Sequence, residues 1–280
     1  MIKSRNYGEV TQFLMGRDYE GQVIYTMACY YLDGLLIDSG PFHVAAELEA
    51  AFADYPIMQI INTHHHEDHI GNNVWFQENR RIGPVLAPAA AVPLIEDPSI
   101  WSARIMPYCQ ITWGIPPASL AQPLPARIDT DSFDLLVIPT PGHSPDHISL
   151  LEPSKGWLFA GDLFLAEKVT TLRSDEDVNI MLQSLYKLLD FDFELLFCAS
   201  GRVVETEAKK AVQAKIAYWE EQREAILGLH RAGSDEDEIL RRLYGKESAL
   251  FGPSEGDFGK IHLIRSFILS GPSKPYHSVP

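Results

Sequence analysis

The sequence predicts an α/β protein, a core of strands covered by helices, and three observations predict it. The first part of the chain is rich in β-branched and aromatic strand formers. Short, continuously apolar runs then recur, each ending in a loop. Helical periodicity takes over after Asp162.

Taken in order, "QVIYTMACYYL" and "LLIDSG" read as strands joined at Asp33-Gly34, a strong hairpin signal. "HVAAELEAAFADY", from His43, has helical spacing and stops before Pro56. "IMQIINT" (57–63) has the unbroken apolarity of a buried strand and leads straight into "HHHEDH". Gly71 and "NNVWFQENRR" predict a helix just beyond. Residues 83–127 have a different texture: nine prolines forbid long regular elements, and the large apolar side chains of "SIWSARIMPYCQITWGI" predict a packed insertion or lid.

From Phe133, strands return as "FDLLVIPT", "ISLLEP" and "GWLFAGDLF". "DEDVNIMLQSLYKLLD" then places Val178, Met181, Leu182, Leu185, Leu188 and Leu189 on one helical face. "ELLFCAS" is a further strand before Gly201. A long helix is expected from about Glu205 to Leu229, ended by Gly233. Ser234 and Asp237 form a capping-box-like start for "DEDEILRRLY", with Gly245 as its C-cap. "FGKIHLIRSFIL" predicts a last helix, and the tail "GPSKPYHSVP" is expected to fray. The organisation is thus a core over 1–204, carrying the 83–127 segment, and a helical extension over 205–280 that packs on it.

Composition narrows the function classes. The 280 residues are 46% hydrophobic and 22% charged, enough for a sizeable core. The formal charge of −15 is spread along the chain with no Lys/Arg cluster, so nucleic acid is not an expected partner. No apolar run reaches the roughly 20 residues of a membrane span, and the first residues lack a secretory h-region. Three scattered cysteines argue for a reducing compartment, so a cytoplasmic protein is expected. The expected partner is a small-molecule substrate, with a homodimer as an open assembly.

The densest chemistry lies in "NTHHHEDHIGNN" (62–73). Side chains alternate along an extended chain, so His64 and His66 project to one side. The chain then turns toward a helix, and Asp68 and His69 can enter the same cavity, while His65 and Glu67 are expected to face away. Imidazole suits zinc, iron, nickel or copper, and a carboxylate adds affinity for a hard cation. Four such groups exceed the needs of one tetrahedral ion with an open position, so two adjacent metals are the natural use. Two further strand ends offer partners. "VIPTPGHSPDH" presents His143 after the tight Pro141-Gly142 turn, and "WLFAGDLF" presents Asp162.

These stretches together resemble the metallo-β-lactamase superfamily. "THHHEDHIGN" matches its T-H-x-H-x-D-H-x-G signature, "TPGHSPDH" its second histidine loop, and "FAGDLF" its bridging acid, while "LLIDSG" is similar to its early strand-Asp-x-Gly turn. The resemblance runs from about Met27 to Gly201. It implies a four-layer αββα sandwich with the metals at one edge, between the sheets. It also implies that His64, His66 and His143 hold one ion, that Asp68 and His69 belong to a second, and that Asp162 bridges. Family members with two complete sites carry a final histidine in a P-G-H-G-like turn. Here "FCASGRV" puts Ser200 in that position, and a neutral hydroxyl is a weak ligand. A weaker or fractional second site is therefore expected, with Cys198, His147 and His262 as candidate replacements; His147 is better placed to order the loop behind His143.

The implied cofactor is one or two divalent ions, zinc first, with iron, manganese or nickel as alternatives. The implied chemistry is attack on a carbonyl by metal-activated water hydrogen-bonded to Asp68, that is, hydrolysis of a small ester, thioester or lactone. Similarity to the glyoxalase II-like and lactonase-like branches favours such substrates over a β-lactam. Trp101, Tyr108 and Trp113 are candidates to line the pocket, and Arg202 to pair with an anionic substrate. Two rivals stand beside this reading: a mononuclear iron dioxygenase acting on persulfides, and a metal-stabilised binding or regulatory module without turnover.

Overall fold

Alternating strand formers in the first part of the chain build an antiparallel meander. Its strands are β1 (Ile2–Tyr7), β2 (Val10–Tyr19), β3 (Gln22–Leu32) and β4 (Leu35–Ile37), the last two turning at Asp33-Gly34. The short strands β5 (Gln59–Ile61), β6 (Val85–Ala87) and β7 (Ala121–Pro123) extend this sheet in parallel, in the order β1 to β7. The computed structural model describes residues 1–19, 21–102 and 107–269. The tail expected to fray and part of the 83–127 segment therefore lie outside the described residues.

A second sheet contains β8 (Arg127–Asp129), β9 (Asp134–Pro139), β10 (Ile148–Glu152) and β11 (Trp157–Phe159). After β12 (Leu172–Arg173), the sheet is completed by β13 (Leu195–Phe197) and β14 (Val203–Val204), in the order β14-β13-β11-β10-β9-β8. Strand β12 pairs instead with β15 (Phe258–Gly259), which ties the C-terminal region back to the loop after Asp162.

Three apolar cores separate the layers. Leu32, Ile37 and Ile61 of the first sheet meet Leu135, Leu150, Phe159 and Phe197 of the second. The outer face of the first sheet is covered by a 3-10 turn (Phe42–Glu47), α1 (Leu48–Ala51), α2 (Glu67–Ile70), α3 (Asn73–Arg80) and α4 (Val92–Glu96), with Val44, Leu48, Phe76 and Ile95 in that core. Short α5 (Ser99–Ser102) and α6 (Pro107–Thr112) follow. The outer face of the second sheet is covered by α7 (Val178–Leu188), α8 (Ala208–Arg231), α9 (Glu236–Tyr244) and α10 (Lys260–Leu269). The result is a four-layer αββα sandwich. Val212, Trp219 and Ile226 hold α8 on the second sheet, each such burial being worth about 1.5–3 kcal/mol.

Some local expectations are corrected. The helix expected from His43 is a 3-10 turn followed by one α-turn. Helix α9 is capped by Asp235, whose carboxylate accepts from the Glu238 amide, rather than by Ser234; a carboxylate is the stronger acceptor there. The 83–127 segment is not wholly a lid. Its ends form β6 and β7, whose backbone groups are satisfied by joining the sheet edge. No helix among the described residues is long and apolar enough to cross a membrane.

Candidate metal centre

The C-terminal ends of β4, β5, β9, β11 and β13 open onto one edge between the two sheets, where sheet proteins of this kind place their ligands. Strand β5 runs out into Asn62, Thr63 and His64, and His66 is the N-cap residue of α2, in extended backbone. The turn after β9 presents His143. At Gly142, φ is 131° and a Cβ would lie 2.5 Å from the backbone nitrogen of Met181, so only glycine lets α7 pack against this turn. Beyond β11, Gly161 delivers Asp162 beside His147.

The candidate ligand atoms converge in two groups, His64-His66-His143 and His64-His69-Asp162, each spanning no more than 4.8 Å. His66 Nδ1 and His143 Nε2 face each other at 2.9 Å. Asp162 Oδ2 lies 3.2 Å from His143 Nε2 and 3.6 Å from His69 Nε2, and Asp68 Oδ2 lies 3.7 Å from His69 Nε2. All six ligand-type residues singled out in the sequence thus meet at one place.

The nitrogens pointing away from this cluster are held from behind. Carboxylates only accept, so His69 Nδ1 carries the proton it donates to Asp38 Oδ2 at 2.8 Å, and His143 Nδ1 donates to Glu176 Oε1 at 2.5 Å. Thr63 Oγ1 donates to Asp38 at 2.9 Å and so accepts from His64 Nδ1 at 3.0 Å. These bonds leave the inner nitrogen of His64 as an acceptor with nothing to accept, and aim that of His69 at the Asp162 and Asp68 carboxylates, 3.6 and 3.7 Å away. His64 Nε2 and His69 Nε2 are buried polar atoms without a hydrogen-bond partner. Unpaired buried acceptors are costly, and a bound cation satisfies them. Backing of this kind is what orients metal-binding histidines. The residues present therefore fit a divalent metal.

Electrostatics follow from the crowding. Burial, reinforced by neighbouring imidazoles, holds His64 well below the usual histidine range. Burial and the Arg173 guanidinium do the same for His66, so both offer neutral lone pairs. Burial opposes charge on His69 and His143 too, but Asp38, Asp68 and Asp162 push His69 up, and Asp162 with Glu176 push His143 up. Burial raises Asp68 to about 7; it opposes ionisation of Asp162 as well, but His143 and His69 hold that carboxylate low. His147 bonds the Thr140 carbonyl through Nδ1 and accepts from the Asp162 amide through Nε2 at 3.0 Å, so it is neutral and fixes the backbone of Asp162 rather than joining the cluster. Burial, first of its causes, lowers its pKa to about 3.

A cavity of about 260 Å³ opens onto the cluster, with His66, Asp68, His143 and Asp162 in its wall. Ser200, Tyr108 and Trp113 line it, as the sequence suggested. Trp101 does not. Its indole donates to the Leu94 carbonyl and its ring meets His65 edge-on, because α5 packs over α4. Arg202 does not either, since it makes a bidentate pair with Glu167 outside the cavity. His65 faces away, bonded to Asp146. Glu67, expected to face away as well, is buried in the cavity wall, 3.7 Å from Arg173: the turn into α2 breaks the strand alternation behind that expectation.

Neither Cys198 nor His262 replaces the missing second-site histidine. Burial pushes the Cys198 thiol up to about 12 and it packs in the core, while His262 bonds the Gly256 carbonyl. Glu176, Arg173, Lys215 and Trp219 also line the cavity and were not found from the sequence. Lys215 did leave a signal, as a lone cation among Ala208, Val212, Ile216 and Trp219 on the buried stripe of α8.

Comparison with known proteins agrees with this geometry. Residues 28–200, more than half of the chain, match the family model described as "Metallo-beta-lactamase superfamily". A beta-lactamase-like protein 2 homolog of Caenorhabditis elegans is 24% identical over 63% of this chain and 55% of its own. A hydroxyacylglutathione hydrolase of Cereibacter sphaeroides is 26% identical over 60% of this chain and 64% of its own. The chain thus spans less than two thirds of the length of these curated relatives. Among solved structures, a metallo-beta-lactamase family protein of Thermus thermophilus aligns with a TM-score of 0.69 over 94% of this chain and 93% of its own, at 18% identity, a likeness of fold alone.

Proposed function

The chain belongs to the metallo-β-lactamase superfamily, and from that premise we propose that it is a metal-dependent hydrolase of a small ester, thioester or lactone. The observation that carries this reading is the pair of buried imidazole nitrogens without a hydrogen-bond partner, His64 Nε2 and His69 Nε2, beside His66, His143 and Asp162 at the end of a walled cavity. His64, His66 and His143 would hold one ion, with Asp68, His69 and Asp162 beside it. A divalent metal bound there lowers the pKa of water from about 16 toward 7 and stabilises negative charge developing on a carbonyl oxygen. Zinc is the first expectation on ligand type, as a neutral-imidazole set suits it.

This chain's own residues supply orientation and proton handling. Asp68, in the cavity wall, accepts a hydrogen bond from the attacking water and can take its proton. Asp38, Thr63 and Glu176 fix the three imidazoles they bond. The apolar part of the cavity, including Met27, Leu172, Met181 and Phe258, excludes water and favours a compact organic substrate. The similarity to a protein named hydroxyacylglutathione hydrolase supports the ester and thioester classes.

A panel of acyl thioesters, aryl esters and lactones, assayed before and after chelation and after adding back zinc, tests the proposal. Chelator-sensitive, zinc-restored turnover is expected; no hydrolysis of any of them by metal-loaded protein would overturn it. One observation favours a second reading, oxidation of a persulfide at a single iron: Ser200, at the position where the family resemblance implies a further second-site ligand, lines the cavity. Co-purified iron with oxygen uptake on glutathione persulfide would select it.

A further inference from the structure

We propose that Lys215 recognises an anionic group of the substrate, so that the preferred acyl compound carries a carboxylate on an otherwise apolar body. This deepens the hydrolase reading and rests on it. Lys215 lies on the buried stripe of α8, only 1% exposed, in the cavity wall shared with His143 and Asp162. An ammonium has three donors. Here one bond reaches the Ala166 carbonyl at 3.0 Å, and the nitrogen sits 4.0 Å from the centre of the Trp219 ring.

Buried ammonium groups are costly without a counter-ion, and the titratable groups around this one are committed elsewhere. Glu176 is engaged by His143 and by the Arg173 amide. Glu167 is paired with Arg202. Cys198 is a protonated thiol. Among the described residues, no carboxylate pairs with Lys215. Arg173, the other cation of the wall, differs: Glu67, Asp175 and Asp257 all approach within 3.7–3.8 Å. Lys215 is thus a buried amine without a counter-ion, and its neighbours Leu165, Val169, Met181 and Trp219 make the surrounding wall apolar. A carboxylate on an apolar substrate fits this arrangement, and a neutral analogue leaves the charge unpaired. Burial, the largest influence, lowers Lys215 to about 7, so an entering anion also recovers the ammonium by proton uptake.

The test is binding, which needs no turnover, on metal-loaded full-length protein. Succinate, glutarate and adipate are compared by calorimetry with butyrate, pentanoate and hexanoate, whose single carboxylate reaches the metal but leaves Lys215 unpaired. The wild type is expected to bind at least one diacid about tenfold more tightly than the matched monoacid, and Lys215→Met, which keeps the buried stem, is expected to bring the two to parity. Should Lys215→Met fail to fold, the wild-type ratio followed from about pH 6 to about pH 8.5 decides: it must fall as the amine loses its proton. Parity in the wild type, a preference that survives Lys215→Met, or a ratio indifferent to pH overturns the proposal. Failure of the hydrolase reading would show separately, as absence of ester turnover with the diacid preference intact.

Discussion

Asp38 bonds His69 Nδ1 directly, at 2.8 Å, and reaches His64 through Thr63 Oγ1, so one buried carboxylate stands behind a ligand of each candidate ion. It does so from the end of β4 with φ at 62°, a left-handed conformation that aspartate tolerates better than most residues. Strain of this kind concentrates at functional positions. Asp38→Asn is expected to weaken metal retention by about 10–100-fold. Competition against a chromophoric chelator measures it, and an unchanged affinity would show that the backing is dispensable.

Glu176 does for His143 what Asp38 does for His69. It also accepts from the Arg173 amide at 3.0 Å, which pins its own position. Glu176→Gln keeps the shape but removes the charge that favours the Nδ1 proton. An ion bound by the His64-His66-His143 group is expected to be held about tenfold or more less tightly. Dialysis against graded zinc buffers reads this, and full occupancy at wild-type zinc levels would contradict it.

Asp68 stands outside the three-histidine group, so its removal separates chemistry from metal retention at that group. Asp68→Asn is expected to lower kcat by about 10²–10⁴-fold while the first ion stays bound. Steady-state kinetics and metal content on the same preparation check it. A variant with normal kcat would remove Asp68 from the mechanism.

The turn that presents His143 depends on Gly142, whose missing side chain leaves room for the Met181 backbone. Gly142→Ala is expected to destabilise the fold by about 1–3 kcal/mol, a fall of several degrees in Tm for a chain of this size. Calorimetry decides, and an unchanged Tm would mean that α7 can withdraw without cost.

The candidate ligands His64, His66, His143 and Asp162 were legible because each lies just beyond a strand beside a turn signal, and Asp68 and His69 follow in the short helix α2. The two-sheet core was legible for a related reason: "IMQIINT" and "ELLFCAS" are dominated by apolar residues, and Ile60, Ile61, Leu196 and Phe197 within them are buried between layers. Glu176 was not legible. It is one acid in "SDEDV", and its contact with His143 exists only because α7 docks behind the cavity. Glu67 was misjudged because strand alternation ends at His66, where the helix begins. Trp101 and Arg202 were misassigned for want of their partners, Leu94 and Glu167, which no local pattern announces.

The central claim is that His64, His66 and His143 hold a divalent ion, while Ser200 leaves the neighbouring site short of a ligand. Metal analysis of protein purified without added metal tests it most directly. About one tightly held divalent ion per chain is expected, and His143→Ala should lose it. No stoichiometric ion, or an ion retained undiminished by His143→Ala, would contradict the account; two tightly held ions would contradict the role given to Ser200.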